Sequence, residues 1–216
     1  MKVYFVRHGM TMFNKMNKMQ GWSDTPLTNE GISVLERTGE YLKDTHFDAI
    51  YSSDLKRAVD TANIIKDKNL TSTADIQQNK NFREMCFGSF EGDSTPMVWD
   101  IVVAKYNNLT KAKMENNFSA IVAKGTLKKA DPMNLAEDIN DVGKRIEDGL
   151  QQLLDENNPD STVLVVTHGA FLETLVLKYF SDQYDLTNAF PDNGSITVTD
   201  LTRDHFKLEK FNIVPN

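Results

Sequence analysis

Two short runs carry most of the chemistry this sequence could perform. The first is Arg7-His8-Gly9 and the second is His168-Gly169, and each directly follows a stretch of apolar residues. A third candidate, Arg57, stands a few residues beyond the stretch Asp48 to Ser52. Two guanidiniums and two imidazoles packed together repel one another, so a site made of Arg7, His8, Arg57 and His168 calls for an anion. Phosphate fits, because the planar fork of arginine meets its oxygens in pairs. Taken singly, each residue has a plainer explanation. A histidine after a strand is commonly a packed, hydrogen-bonded residue, and a lone Arg57 would be a surface arginine. Their meaning depends on whether the fold brings them together.

The elements that carry them argue that it does. Val3 to Val6 is a run of β-favouring residues of the kind found in a strand buried on both faces. It leads straight into Arg7 and His8. Thr162 to Thr167 repeats the plan and leads into His168. Asp48 to Ser52 reads as a second strand, with Ser53 as N-cap of a helix that buries Leu55, Ala58, Val59, Ala62 and Ile65 and has Arg57 in its first turn. Helices are expected over Asn29 to Lys43, from Ile139 to a stop at Asn157-Asn158-Pro159, and from Ala170 to Phe180. A short strand is expected over Asp75 to Gln78. Ser195 to Asp200 and His205 to Ile213 read as an edge hairpin around Thr-Arg-Asp. Strand and helix alternate, which predicts an α/β protein: a three-layer α/β/α sandwich around a mostly parallel sheet with an antiparallel edge. In such a sheet, ligands bind beyond the carboxyl ends of the strands. All four residues are predicted there.

Between Asp93 and Pro132 the pattern changes to short amphipathic pieces, one starting near Pro96 and one from about Lys111 to Lys124, which predicts a helical cap inserted into a single domain spanning 1–216. The loop from Gly9 to Trp22 holds Met10, Met12, Met16 and Met19. They read as gap-fillers under the loop or as an adaptable apolar lip. The 216 residues carry a net charge of −7, with 40% hydrophobic and 25% charged residues. That balance argues against nucleic-acid or membrane partners and requires any anion site to be a local pocket. One cysteine, Cys86, excludes an intrachain disulfide and, with no signal-peptide core or membrane span in the sequence, points to the cytoplasm. Four histidines and one cysteine without short ligand spacing argue against a metal site.

The sequence resembles the histidine phosphatase superfamily, the phosphoglycerate-mutase-like branch with the Arg-His-Gly motif. The matching segments are Arg7-His8-Gly9 with Thr11 and Asn14; Gln20-Gly21-Trp22 with Pro26-Leu27-Thr28; Ser52-Ser53-Asp54-Leu55 with Arg57-Ala58 and Thr61-Ala62; Glu84 with Gly88, Phe90, Glu91 and Gly92; and Val166-Thr167-His168-Gly169. The resemblance implies an enzyme, a histidine acid phosphatase or a mutase-like phosphoryl transferase. It makes His8 the nucleophile that forms a phosphohistidine. Arg7, Arg57 and His168 would hold the phosphoryl oxygens, with Asn14, Gly169 and backbone N–H groups near Gln20 and Gly21 completing the cradle. Glu84 would be the general acid and base; Glu91 competes, but its Phe-Glu-Gly setting matches a structural position in the family.

Hydrolysis and mutase chemistry share this machinery. A mutase holds a second acidic group, and the dedicated mutases of the family carry adjacent arginines in the insertion. Here Asp93 to Pro132 holds lysines, Lys128-Lys129 among them, and no arginine. The expectation is therefore a phosphomonoesterase acting on a small phosphorylated metabolite without a cofactor. A mutase that uses 2,3-bisphosphoglycerate and a non-catalytic phospholigand-binding module stand as alternatives, and a homodimer is left open. Met10 departs from relatives that have an acid after the glycine, which bears on specificity.

Overall fold

In the computed structural model, which describes residues 1–110, 120–182 and 190–216, six strands form one sheet in the order β3-β2-β4-β1-β5-β6. These are β1 (Lys2–Arg7), β2 (Ala49–Ser52), β3 (Ile76–Gln78), β4 (Thr162–Thr167), β5 (Ile196–Leu201) and β6 (Phe206–Ile213). β1 runs parallel to β4, and β2 runs parallel to both β4 and β3. β5 is antiparallel to β1 and to β6, so the hairpin closes one side of the sheet. The mostly parallel sheet with an antiparallel edge is as expected.

Alternation along β1 divides the core. Val3 and Phe5 face one side, where they join Val142, Ile146 and Leu153 of α6 (Ile139–Glu156) and Phe171 and Leu175 of α7 (Gly169–Phe180). Val6 faces the other side, with Ile50, Ala58, Ala62 and Ile65, and is packed by α3 (Lys56–Lys68). α2 (Asn29–Tyr41) lies beside α3, and a single turn, α1 (Met12–Lys15), interrupts the loop after β1. Burial of strand side chains on both faces fixes the register, because a one-residue slip would carry every side chain of the slipping strand to the opposite face.

One expectation is corrected. Ser53 does not cap α3: the helix begins at Lys56 after Leu55, whose side chain makes no capping bond. Its leading amides, Lys56 N–H and Arg57 N–H, donate instead to the carboxylate of Asp24, more than thirty residues upstream. A cap supplied across the fold leaves no local signature. The methionines split. Met19 is buried in the core, whereas Met12 and Met16 are exposed.

Between Asp93 and Pro132 lie α4 (Thr95–Thr110) and α5 (Ala120–Ala130). The helix expected from Lys111 to Lys124 falls partly outside the described residues, and its described part runs on to Ala130. Val98, Val102 and Leu127 tie these helices to the core on the α6/α7 side. Among the described residues, no helix is long and apolar enough to cross a membrane.

Candidate active site

Parallel pairing sets the site. Arg7 is in register with Thr167, and His8 N–H donates to Thr167 O at 2.9 Å, so His8 and His168 leave adjacent strands at the same level. Their ring centroids are 5.1 Å apart. Ser52 pairs with Val166 on the other side of β4, which sends the chain into α3 and Arg57 at the same edge. His8, Arg57, Glu84 and His168 are all buried.

Each imidazole is buried and lies near two guanidiniums. Burial first, then the charges of Arg57 and Arg7, hold His8 well below its usual 6.5. Burial, Arg57, His8 and Arg7 do the same to His168. Both rings are therefore neutral at pH 7. His8 Nδ1 donates to Gly9 O at 2.7 Å, since a carbonyl can only accept, and this leaves the lone pair on Nε2. Arg7 is itself lowered to about 10, by burial chiefly, partly offset by Glu84 and Asp192.

Neutral buried histidines penalise the folded state in acid. The unfolded chain takes up two protons near 6.5 while the folded chain does not, so stability falls as pH drops through that value. The slope approaches about 1.4 kcal/mol per pH unit for each ring. Urea midpoints should decline steadily from about pH 7 to about pH 5.5. A flat profile over that window would mean that the rings charge in place.

The anion donors are unsatisfied. Arg7 Nε, Arg57 Nε, Gln20 Nε2 and both ring nitrogens of His168 are buried without a hydrogen-bond partner among the described residues. Buried polar groups are nearly always paired, and these nitrogens together offer donors for an acceptor. Three of the other guanidinium nitrogens are anchored. Arg57 donates through Nη1 to Ser23 O and Asp24 Oδ1 and through Nη2 to Gly21 O. Arg7 Nη1 donates to Pro191 O, and its guanidinium lies 4.9 Å from the Phe190 ring. Gln20 Oε1 accepts from the hydroxyls of Thr11 and Thr25, which aims its amide by elimination.

Gly21 enters differently from expectation. Its N–H donates to Glu91 Oε2 at 2.9 Å, so the amide is engaged and its carbonyl serves Arg57. A Cβ there would lie 2.2 Å from Met85 O, which requires glycine. Gly169 is required for a similar reason: a Cβ would meet Phe190 and stand 3.1 Å from Arg7 Nε. Asn14 Oδ1 accepts from Thr11 N–H and from Asn193 Nδ2, which also donates to His8 O.

The two acids of the Phe82 to Gly92 segment have distinct settings. Glu91 accepts from the N–H groups of Gly21, Trp22, Ser23 and Phe87 and from the Ser23 hydroxyl, so it ties two loops together. Glu84 lies at the start of α7, where Oε1 accepts from Met85 N–H and Phe171 N–H and Oε2 from Ala170 N–H. That uses three of about four lone-pair positions, leaving one on Oε2. The main-chain carbonyl of Glu84 is fixed as well, by Trp22 Nε1 and Arg145 Nη2.

Several participants escape a motif-based reading. Asp24 appears in sequence only as a turn residue. Asn193 precedes β5, and Arg145 sits on α6 paired with Glu137. Their roles arise from long-range contacts.

A profile of the histidine phosphatase superfamily (branch 1) matches residues 3–214. The chain is 28% identical over 211 residues to the "Uncharacterized phosphatase PhoE" of Bacillus subtilis (strain 168), covering 98% of this chain and 94% of that protein. It is 28% identical over 189 residues to a 2,3-bisphosphoglycerate-dependent phosphoglycerate mutase of Bifidobacterium longum (strain DJO10A), covering 81% and 75%. The crystal structure of a phosphoglycerate mutase from Bacillus anthracis str. Sterne superposes with a TM-score of 0.88 at 32% identity, covering 99% of this chain and 93% of that one.

Proposed function

The chain belongs to the histidine phosphatase superfamily, whose members are phosphatases or phosphoryl transferases, and on that premise we propose that it is a phosphomonoesterase acting on a small phosphorylated metabolite in the cytoplasm. The observation that carries the reading is the set of buried, unpartnered nitrogens on Arg7, Arg57, His168 and Gln20 beside a neutral His8.

His8 Nε2 attacks phosphorus as the bond to the leaving oxygen breaks, and Glu84 Oε2 supplies the proton that makes the leaving group an alcohol. The Glu84 carboxylate then takes a proton from water, which attacks the phosphohistidine and breaks the N–P bond. Inorganic phosphate leaves, with His8 neutral and Glu84 protonated once more. Arg7, Arg57 and His168 bind the three phosphoryl oxygens, and Gln20 and Asn14 orient the group.

Hydrolysis is favoured over mutase chemistry by the commitment of the cap's buried and half-buried lysines among the described residues. A retained second phosphate or carboxylate needs uncommitted positive charge. Lys124 is buried and paired with Glu173, and Lys128 is paired with Asp138 and Asp141. Arg83, beside Glu84 in the chain, is held by both oxygens of Asp54. Among the described residues of the cap, Lys105 and Lys129 are exposed.

Phosphate release should be measured across sugar phosphates, phosphoglycerates, nucleotides and aryl phosphates, with isomerisation of 3-phosphoglycerate assayed alongside. Rapid release to water with no isomerisation is expected. A label retained on the enzyme and passed to an acceptor would establish the mutase alternative, and a bound but unreacted ligand would establish a binding module. Glu84→Gln should lose roughly 10²–10⁴-fold on alkyl phosphates and far less on an activated aryl phosphate, whose leaving group needs no proton. Equal losses on both would remove Glu84 from the leaving-group role.

A further inference from the structure

The helical cap and the catalytic acid meet at one peptide group. Lys124, on α5 of the cap, is only 5% exposed. Its Nζ donates to Ala170 O at 3.2 Å and to Thr174 Oγ1 at 2.8 Å, and lies 2.8 Å from Glu173 Oε2. The Thr174 hydroxyl in turn donates to Ala170 O at 2.7 Å. Ala170 O and Phe171 N–H belong to the same peptide unit, and that N–H donates to Glu84 Oε1 at 2.9 Å. The adjacent unit supplies Ala170 N–H, 3.0 Å from Glu84 Oε2. A buried ammonium therefore grips the carbonyl end of a rigid planar group whose other end grips the acid.

A tether alone has no need of this arrangement. Long lysine side chains lose much rotamer freedom when buried, and a buried ammonium is costly to desolvate. Packing by Leu127 and Val102 already ties the cap to the core. Lys124 adds a charged donor at the first turn of α7, which supplies two of the three amides that hold Glu84. It also polarises the peptide whose N–H faces Glu84, since hydrogen bonds in a chain strengthen one another.

We propose that Lys124 is a positioning residue for Glu84, so that docking of the cap on α7 is linked to protonation of the leaving group. The inference rests on the assignment of Glu84 as general acid. It gives the cap a part in the chemical step. Lys124 touches neither phosphate nor leaving group, so its loss should spare phosphate binding and act on the step that Glu84 serves.

The test compares kcat/KM for p-nitrophenyl phosphate and for glycerol phosphate in the full chain. Lys124→Met should lose on the order of tenfold to a hundredfold on glycerol phosphate, the scale of a small misplacement of a catalytic group. Little loss is expected on the aryl substrate, and inhibition by inorganic phosphate should be unchanged. In a Glu84→Gln background the same substitution should add no further discrimination, and Lys124→Arg should recover part of the loss. If Lys124→Met does not fold, Lys124→Gln, which keeps a neutral donor, serves for the same measurement. Equal losses on both substrates, or discrimination that persists in the Glu84→Gln background, would reduce Lys124 to a structural tether. If Glu84→Gln itself shows no leaving-group discrimination, the general-acid assignment is wrong and the inference falls with it; if only the Lys124 variants lack discrimination, the inference alone fails.

Discussion

Substitution of His8 by alanine is expected to abolish phosphate release, by roughly 10⁴-fold or more, and to abolish covalent labelling by a radioactive substrate. Two histidines compete for the nucleophilic role, and the geometry separates them. Both are buried and neutral. Only His8 has its tautomer fixed, by the bond from Nδ1 to Gly9 O, which commits the lone pair to Nε2. Neither nitrogen of His168 has a partner, so its tautomer is free to follow the ligand. That freedom suits an anion donor and not a nucleophile, which must present a lone pair in every turnover.

His8→Ala should still bind inorganic phosphate, because the orphaned donors of Arg7, Arg57 and Gln20 remain. It should also fold, at a loss of about 1 kcal/mol for the missing hydrogen bond. Wild-type label should be stable in alkali and lost in acid, as an N–P bond requires. Label surviving in His8→Ala but absent from His168→Ala would exchange the two roles. Label absent from the wild type, with turnover intact, would mean direct attack by water.

The framework of this fold was open to reading because its determinants are local. Val3 to Val6 and Thr162 to Thr167 are apolar without alternation, which only a strand covered on both faces tolerates, and each ends at the residue that matters. The stripe of Val142, Ile146, Leu150 and Leu153 marks α6 in the same way. What was hidden depends on residues distant in sequence. Asp24 caps α3 and holds Arg57, yet its own neighbours spell only a turn. The resemblance implies backbone N–H donors near Gln20 and Gly21. Whether the Gly21 N–H is available depends on Glu91, seventy positions away, which takes it. Lys124 in sequence is one of several lysines of a charged insertion, and only its burial against α7 distinguishes it. Local pattern finds elements. It does not find the second contacts that fix a side chain once the elements have met.

Arg57 shows what those second contacts are worth, and its replacement carries the other large expected effect. Arg57→Met should lower kcat/KM by about 10³-fold, since a unit-charge pair at contact distance contributes about 4 kcal/mol at an effective dielectric of 20. Arg57→Lys should recover little of this. A lysine keeps the charge but has one nitrogen in place of three, and the native guanidinium spans Gly21 O, Ser23 O and Asp24 while Nε stays unpaired. A single ammonium cannot hold the loop and also reach a phosphoryl oxygen. The pH profile offers a second readout. After burial, the charge of Arg57 is the largest influence holding His8 low. Its removal lets His8 take up a proton more readily, and a protonated His8 cannot attack. The acidic limb of kcat/KM, which reports the free enzyme, should therefore move to higher pH in Arg57→Met, and less so in Arg57→Lys. A limb that stays in place while activity falls would mean that Arg57 binds substrate without shaping the nucleophile. A loss smaller than about tenfold would mean that the site holds its phosphoryl group by Arg7 and His168 alone.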